Sequence, residues 1–176
     1  MEEVKGEQDG KAYDSIRHYS TVTFQLPGKK TVTAAKTPAP AEIVQLAPLT
    51  PPVTSLGGAI VGDALYVYGG NLGSAHSYSN KGQNNELRKL NLGGAGAWEK
   101  VSDGPSLQGL ALVVHGNKLY RIGGFTAKNE EGAEKDLWSQ DSAAVYDVAS
   151  GEWSDLPKLP EPRSSHDAAV LGDTLY

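Results

Sequence analysis

Cysteine is absent from this 176-residue sequence, and methionine and phenylalanine are scarce, with one and two residues. Without cysteine, these residues can form neither a disulfide nor a metal site built on thiolates. No apolar run reaches membrane-spanning length, and the first ten residues lack the apolar core of a signal peptide. We therefore expect no membrane span and no signal peptide in this chain. The compartment stays open, and an exported location fits if the natural N-terminus lies upstream.

Concentrated charge of one sign is also missing. The formal net charge is −5, and the 16 Lys and Arg are interspersed with the 21 Asp and Glu. A nucleic-acid groove needs clustered basic side chains, so nucleic acid is not an expected partner. The sequence has no His-Glu-x-x-His, no calcium-loop pattern and no phosphate-binding loop with its lysine. We expect no metal and no cofactor.

What the sequence does contain is a tandem repeat. The segment GDALYVYGG at 62–70 returns as GNKLYRIGG at 116–124, and GDTLY at 172–176 begins a third copy. The first glycines of these copies are 54 and 56 residues apart, and Trp98 and Trp153 follow the complete copies 55 residues apart. Self-similarity at a fixed long period identifies one supersecondary unit copied along the chain.

Each copy predicts four short strands. Val, Ile, Tyr and Trp suit a pleated surface, and Gly-Asp and Gly-Asn favour tight hairpin turns because both tolerate positive φ. No comparable helical period appears. The unit is therefore predicted to be a four-stranded antiparallel meander. Its predicted strands are 58–61, 65–68, 87–92 and 98–101 in the first copy, and 110–115, 119–122, 143–148 and 153–156 in the second.

Taken together, these features resemble the kelch repeat, the blade of a β-propeller. The resemblance covers about residue 42 to the end. It rests on the hydrophobic strand, the Gly-Asp or Gly-Asn turn, Leu-Tyr, Gly-Gly, Tyr146-Asp147 and the tryptophan. The first copy departs from it, with Leu90-Asn91-Leu92 where Tyr-Asp is expected. The implied fold class is all-β, a kelch-type β-propeller fragment of four-stranded antiparallel blades.

The chain divides on this basis into an extension and an incomplete propeller. Residues 1–40 form the N-terminal extension, which ends in a Pro-rich linker at 37–40. Segments 19–26 and 31–36 predict a β-hairpin, and the alternative is a disordered extension. A ring of four to eight blades cannot close from this much chain, so we expect further blades elsewhere in the gene product. The incomplete propeller is 41–176, with an orphan outer strand at 41–52, blades at 53–105 and 106–161, and the start of the next blade at 162–176.

Strand alternation places the candidate binding residues on one rim. In an antiparallel meander, the loop into strand one and the loop between strands two and three emerge on the same face. The long loops 71–86 and 125–142 therefore crowd one rim together with the strand-one entries, which should line the mouth of the central channel. The candidate binding residues are Gln108, Arg163, Ser164, Ser165, His166, His76, Tyr78 and Trp138.

Three of these residues suggest specific chemistry. Arg163 offers a planar fork for a carboxylate, and His166 offers a titratable proton donor. Trp138 could stack on a sugar or an aromatic partner. Alternatively, Arg163 and His166 could make hydrogen bonds between blades, and Trp138 could pack on its own loop. Residues 164–167 include the residue types of a catalytic triad, but neighbours on a strand point to alternate faces, so we predict no catalytic residue.

Two function classes follow from the resemblance and the residues. The first is a binding module that presents the loops of one rim to a protein, peptide or glycan. The alternative is a carbohydrate-acting kelch enzyme, such as a sialic-acid mutarotase or epimerase, or a galactose-oxidase-like protein. In the family the oxidase uses a tyrosine cross-linked to cysteine, which this stretch lacks. A mutarotase needs acid–base groups, for which Arg163 and His166 are candidates. Because nothing in these residues demands chemistry, we favour the binding module.

Overall fold

The computed structural model describes strands at residues 2–8, 11–17, 23–25 and 31–33, and then residues 45–74, 76–94 and 96–176. The chain divides into two units, Met1–Val44 and Gln45–Tyr176. In the first unit, two antiparallel pairs are described. They are β1 (Glu2–Gln8) with β2 (Lys11–Arg17), and β3 (Thr23–Gln25) with β4 (Thr31–Thr33).

The β1–β2 pair lies where the sequence predicts no strand, because residues 2–8 hold few β-branched and no aromatic residues. The β3–β4 pair lies within the two segments that the sequence pairs as a hairpin. The other residues of that predicted hairpin, 19–22, 26–30 and 34–36, lie outside the described residues, as does the whole Pro-rich linker at 37–40.

The second unit is built from two four-stranded antiparallel sheets. The strand order of the first blade is β5 (Gly57–Val61), β6 (Ala64–Tyr68), β7 (Glu86–Asn91), β8 (Glu99–Asp103). The strand order of the second blade is β9 (Ala111–His115), β10 (Lys118–Ile122), β13 (Ala143–Asp147), β14 (Glu152–Leu156). The described residues contain no helix, and none of them forms a helical membrane span. This architecture confirms the predicted all-β fold of four-stranded antiparallel blades. The second unit also contains two antiparallel pairs, β11 (Phe125–Ala127) with β12 (Leu137–Ser139) and β15 (Val170–Leu171) with β16 (Thr174–Leu175).

Three details differ from the expected pattern. Trp98 precedes β8 instead of opening it. The predicted loop 125–142 contains a hairpin of its own, in which β11 pairs with β12. Of the predicted outer strand 41–52, residues 41–44 lie outside the described residues and 45–52 form no strand. Prolines at 48, 51 and 52 lack the N–H that a strand ladder needs.

The Gly-Gly pair that follows strand two is a contact point between successive blades. Gly69 and Gly123 have φ of 68° and 57°. A Cβ at Gly69 would collide with the carbonyl oxygen of Leu107, and one at Gly123 with that of Arg163. In each pair the second glycine donates its N–H to that same carbonyl, at 2.8 Å. Only glycine combines this backbone conformation with so close an approach.

The two blades share one core. Tyr68 and Leu87 of the first blade and Leu119 of the second are fully buried within it. The buried guanidinium of Arg121 lies 5.0 Å from the ring centroid of Tyr68 and 4.7 Å from that of Trp153. It also donates a 2.9 Å hydrogen bond to the Tyr68 hydroxyl. Burial raises the pKa of Tyr68, and Arg121 opposes that shift. Contacts with the two rings thus stabilise a buried cation at the blade boundary.

Candidate functional site

The entries to strand one lie side by side in a hydrogen-bonded series. Ser55, Gly109 and Ser165 occupy equivalent places in the repeat, and all three are left-handed, with φ of 55°, 56° and 53°. Gly109 N donates to the carbonyl of Ser55 at 2.9 Å, and Ser165 N donates to the carbonyl of Gly109 at 2.7 Å. The long loops of the two blades emerge beside this series.

The side chain of Gln83 links the long loop of the first blade to the second blade. Its Nε2 donates to the carbonyl of Ala127 at 2.9 Å, and its Oε1 accepts the Ala127 N–H at 2.7 Å. The same oxygen accepts hydrogen bonds from Thr126 Oγ1 at 3.2 Å and from Gln108 Nε2 at 3.4 Å. Gln83 therefore binds β11 as a neighbouring strand would.

A second link joins the tips of the same loops. Asn129, which is buried, donates through Nδ2 to the carbonyl of Tyr78 at 2.7 Å, and its own carbonyl accepts the N–H of Asn80 at 2.8 Å. Asn80 Nδ2 also donates to a carboxylate oxygen of Glu130 at 2.8 Å. The two loops thus form one surface across the blade boundary. We name the described residues 71–74, 76–85 and 125–142 the rim surface.

Trp138 is the most exposed aromatic side chain of the rim surface, with 53% of its area accessible. Its indole Nε1 donates a 2.6 Å hydrogen bond to Asp136, and the ammonium of Lys128 lies 4.2 Å from the ring centroid. These contacts fix the ring while leaving it accessible. The repeat does not require this side chain, because Gly82 occupies the equivalent place in the first blade, one residue before the bridge between Gln83 and Asn71.

A second aromatic group lies at the boundary between the two loops. The Tyr78 ring packs edge-on against Phe125 at 5.5 Å between centroids, and Lys135 lies 5.3 Å from its centroid. The Tyr78 hydroxyl is 3.3 Å from Nδ1 of the exposed His76, which has a left-handed φ of 62°. The structure therefore brings His76 and Tyr78 together, as members of one polar and aromatic cluster.

The remaining predicted residues have different environments. Gln108 is fully buried, so its side chain contributes to the blade boundary and not to the accessible surface. Ser164 shares a 2.8 Å hydroxyl–hydroxyl hydrogen bond with Ser139 of β12. Ser165 belongs to the backbone series at the strand-one entries.

Arg163 and His166 line one cavity of about 240 Å³, next to the start of the third repeat. The exposed guanidinium of Arg163 pairs with Glu161 at 2.7 Å. Both ring nitrogens of His166 are buried without a hydrogen-bond partner among the described residues. The repeat places His166 where the earlier copies have Leu56 and Leu110, which is a packing position. Within the described part of the chain, no three His, Asp or Glu side chains converge to hold a metal ion.

Gln83, Asn129 and Lys128 organise the rim surface, and the sequence did not single them out. Amides and lysines are common in polar loops, so their residue types carry no signal. The importance of Gln83 depends on its reach to Ala127, 44 residues further along the chain. That contact follows only from the docking of one blade on the next.

Comparison with known proteins identifies the repeat. The Kelch motif family matches residues 106–160. Kelch-like protein terF of Aspergillus terreus is 34% identical over 125 residues, which cover 67% of this chain and 25% of that protein. Kelch domain-containing protein 1 of Mus musculus is 29% identical over 154 residues, which cover 73% of this chain and 36% of that protein. The chain thus spans only a quarter to about a third of these relatives.

A solved structure supports the fold independently. The structure of YjhT superposes with a TM-score of 0.56 at 17% sequence identity, and the match covers 74% of this chain and 35% of that one. At this identity the likeness concerns the architecture of the blades alone.

Proposed function

This chain belongs to the kelch-repeat β-propeller family, and on that premise we propose that it is a binding module whose rim surface takes a protein, peptide or glycan partner. One observation carries the proposal. The long loops of two blades are hydrogen-bonded across the blade boundary through Gln83 and Asn129, and the resulting surface presents an exposed tryptophan. Loops held on a rigid scaffold are the usual carriers of recognition.

Trp138 is the proposed centre of the contact. A large ring buries much apolar area on binding, and tryptophan is enriched among the residues that dominate binding energy. Its hydrogen bond to Asp136 and the overlying Lys128 already restrict the rotamers of Trp138. Binding therefore costs less side-chain entropy at this residue. The first blade has Gly82 at the equivalent place, so the fold of the blade does not require a tryptophan there.

The cluster around Tyr78 supplies polar recognition groups. The hydroxyl of Tyr78, the imidazole of His76 and the ammonium of Lys135 lie at its accessible end. Carboxylates of the second loop, including those of Glu130 and Asp136, add negative charge. Together with the lysine ammonium groups, they give the surface charges of both signs. Such a mixture of rigid aromatic side chains and hydrogen-bonding groups suits a polar partner such as a peptide or a glycan.

The test selects ligands with the full-length protein and then asks whether they use Trp138. Ligands are taken from a glycan array and from a displayed peptide library, and their affinities for Trp138→Ala are measured. We expect a loss of about tenfold or more, which corresponds to about 1.4 kcal/mol, because the central aromatic contact is removed. The control is Glu152→Ala, since Glu152 is an exposed residue of the complete second blade beside the tight turn at 148–151, away from the rim surface.

Two outcomes would contradict the proposal. Either the selected ligands bind Trp138→Ala as tightly as the unaltered protein, or they lose affinity equally with Glu152→Ala. Mutarotation of sialic acid by the full-length protein is measured in parallel. Catalytic turnover there would favour the carbohydrate-acting enzyme, with Arg163 and His166 as the residues to substitute next.

A further inference from the structure

We propose that Gln83 is a positioning residue that acts across the blade boundary and holds the β11–β12 hairpin, with Trp138, in its place on the rim. The inference deepens the proposed function, because it names the residue that preorganises the binding element. It concerns the unliganded protein, so it can be tested whether or not a partner is known.

The hairpin needs such a contact because it is small. β11 and β12 have three residues each and form a sheet of only two strands. An isolated two-stranded hairpin is at best marginally stable in water. All three residues of β12 are exposed, including Trp138. The hairpin therefore contributes little apolar burial of its own, and its placement depends on hydrogen bonds to the rest of the protein.

Gln83 supplies these hydrogen bonds with a geometry like that of a strand. The carboxamide both donates to and accepts from the backbone of one residue, Ala127, at 2.9 and 2.7 Å. Ala127 is almost fully buried, with 2% of its area accessible. Without Gln83, the backbone N–H of Ala127 would lose its hydrogen-bond partner at a site that water does not readily reach. An unsatisfied buried donor costs free energy, so β11 would no longer favour its present position.

Comparison of the repeats shows that this boundary is specialised. Gln83 pairs with Asn71 as Ser139 pairs with Phe125, so Gln83 and Ser139 occupy the same place in successive blades. Ser139 of the second blade hydrogen-bonds Ser164, which lies at the strand-one entry of the third repeat, at 2.8 Å. In the same way, Gln83 of the first blade contacts Gln108, at the strand-one entry of the second blade, at 3.4 Å. The position therefore links each blade to the next. Only the longer glutamine side chain also reaches the neighbouring hairpin.

Hydrogen exchange of the full-length protein tests the proposal. The variants are Gln83→Ala and Gln83→Met, the second of which keeps the length of the side chain and removes its hydrogen bonds. The informative amide is that of Lys128, which donates to the carbonyl of Asp136 at 2.9 Å and has no hydrogen bond with Gln83. We expect exchange at Lys128 to accelerate at least tenfold in both variants, with β9 and β10 unchanged. Lys81→Ala, two residues away in the same loop, is the matched control and should behave like the unaltered protein.

Two results would overturn the proposal. One is unchanged exchange at Lys128 in both Gln83 variants. The other is an equal loss of protection through β9 and β10, because Gln83 would then stabilise the blade as a whole and not position the hairpin. The experiment uses no ligand, so its failure differs from a failure of the proposed function. If Trp138→Ala leaves binding intact while Gln83 still protects Lys128, only the binding role of the hairpin is lost.

Discussion

The left-handed glycines of the repeat serve two different purposes, which single substitutions can separate. Gly123 combines a left-handed φ with the close approach of the Arg163 carbonyl, whereas Gly116 has a φ of 60° and no atom near the place of a Cβ. We expect Gly123→Ala to lower the free energy of unfolding by about 2–5 kcal/mol. This sum combines about 1–2 for the left-handed backbone with about 1–3 for forcing the blades apart. Urea denaturation measures the loss.

Gly116→Ala is the control for this prediction. Its expected cost is only the backbone term, about 1–2 kcal/mol. Equal losses at the two positions would show that the contact with the Arg163 carbonyl carries no energy, contrary to the expectation.

The strands of the blades could be predicted because their signals are local and repeated. The turns at Gly62 and Gly116 fix where strands one and two meet, and the Gly-Gly pairs fix where strand two ends. The β11–β12 hairpin could not be predicted in this way. It lies inside a long polar loop, has no counterpart strands in the first blade and depends on Gln83 from another blade.

The candidate site shows the same division. The shared rim of His76, Tyr78 and Trp138 follows from strand alternation alone. The burial of Gln108 does not, since it depends on how one sheet docks on the next. The packing position of His166 does have a sequence signal, because the earlier copies have Leu56 and Leu110 in the same place. Polar residue types near a rim thus indicate a region, and docking of the sheets decides which side chains stay accessible.

Both blades have an arginine in the same cross-strand pair between strands two and three. The arginine lies on strand three in the first blade and on strand two in the second. In the second blade the pair is Arg121 with Ala144, and in the first it is Val67 with Arg88. Arg121 lies beside Gly104, and Arg88 donates to the carbonyl of Thr50, which is the counterpart of Gly104 one repeat earlier. Either strand can therefore deliver a guanidinium to this part of the blade face.

A double-mutant cycle at the second blade tests whether the two arrangements are interchangeable. We expect Arg121→Val to cost about 2 kcal/mol, because it removes a desolvated cation from between two rings. Adding Ala144→Arg should restore about 1 kcal/mol of this loss, whereas Ala144→Arg alone should destabilise by crowding two cations. Thermal or urea unfolding of the four proteins gives the coupling energy. A coupling energy near zero would show that the two positions act independently.

Across the whole molecule, the shared core makes each blade depend on its neighbour. The cluster contains Tyr66, Tyr68 and Leu87 of the first blade together with Leu119 of the second. A repeat unit buries its apolar face only by stacking on the next, so the energy of a blade lies largely in its boundaries. Two blades joined by such a boundary should open together.

Substitution of Leu119 tests this dependence. Leu119→Ala should lower the free energy of unfolding by about 2–5 kcal/mol, since the residue is fully buried. Hydrogen exchange should then accelerate in β6 of the first blade as well as in β10, which carries the substitution. If Leu119→Ala accelerates exchange in β10 and leaves β6 protected, the blades open separately and the boundary is not their main source of stability.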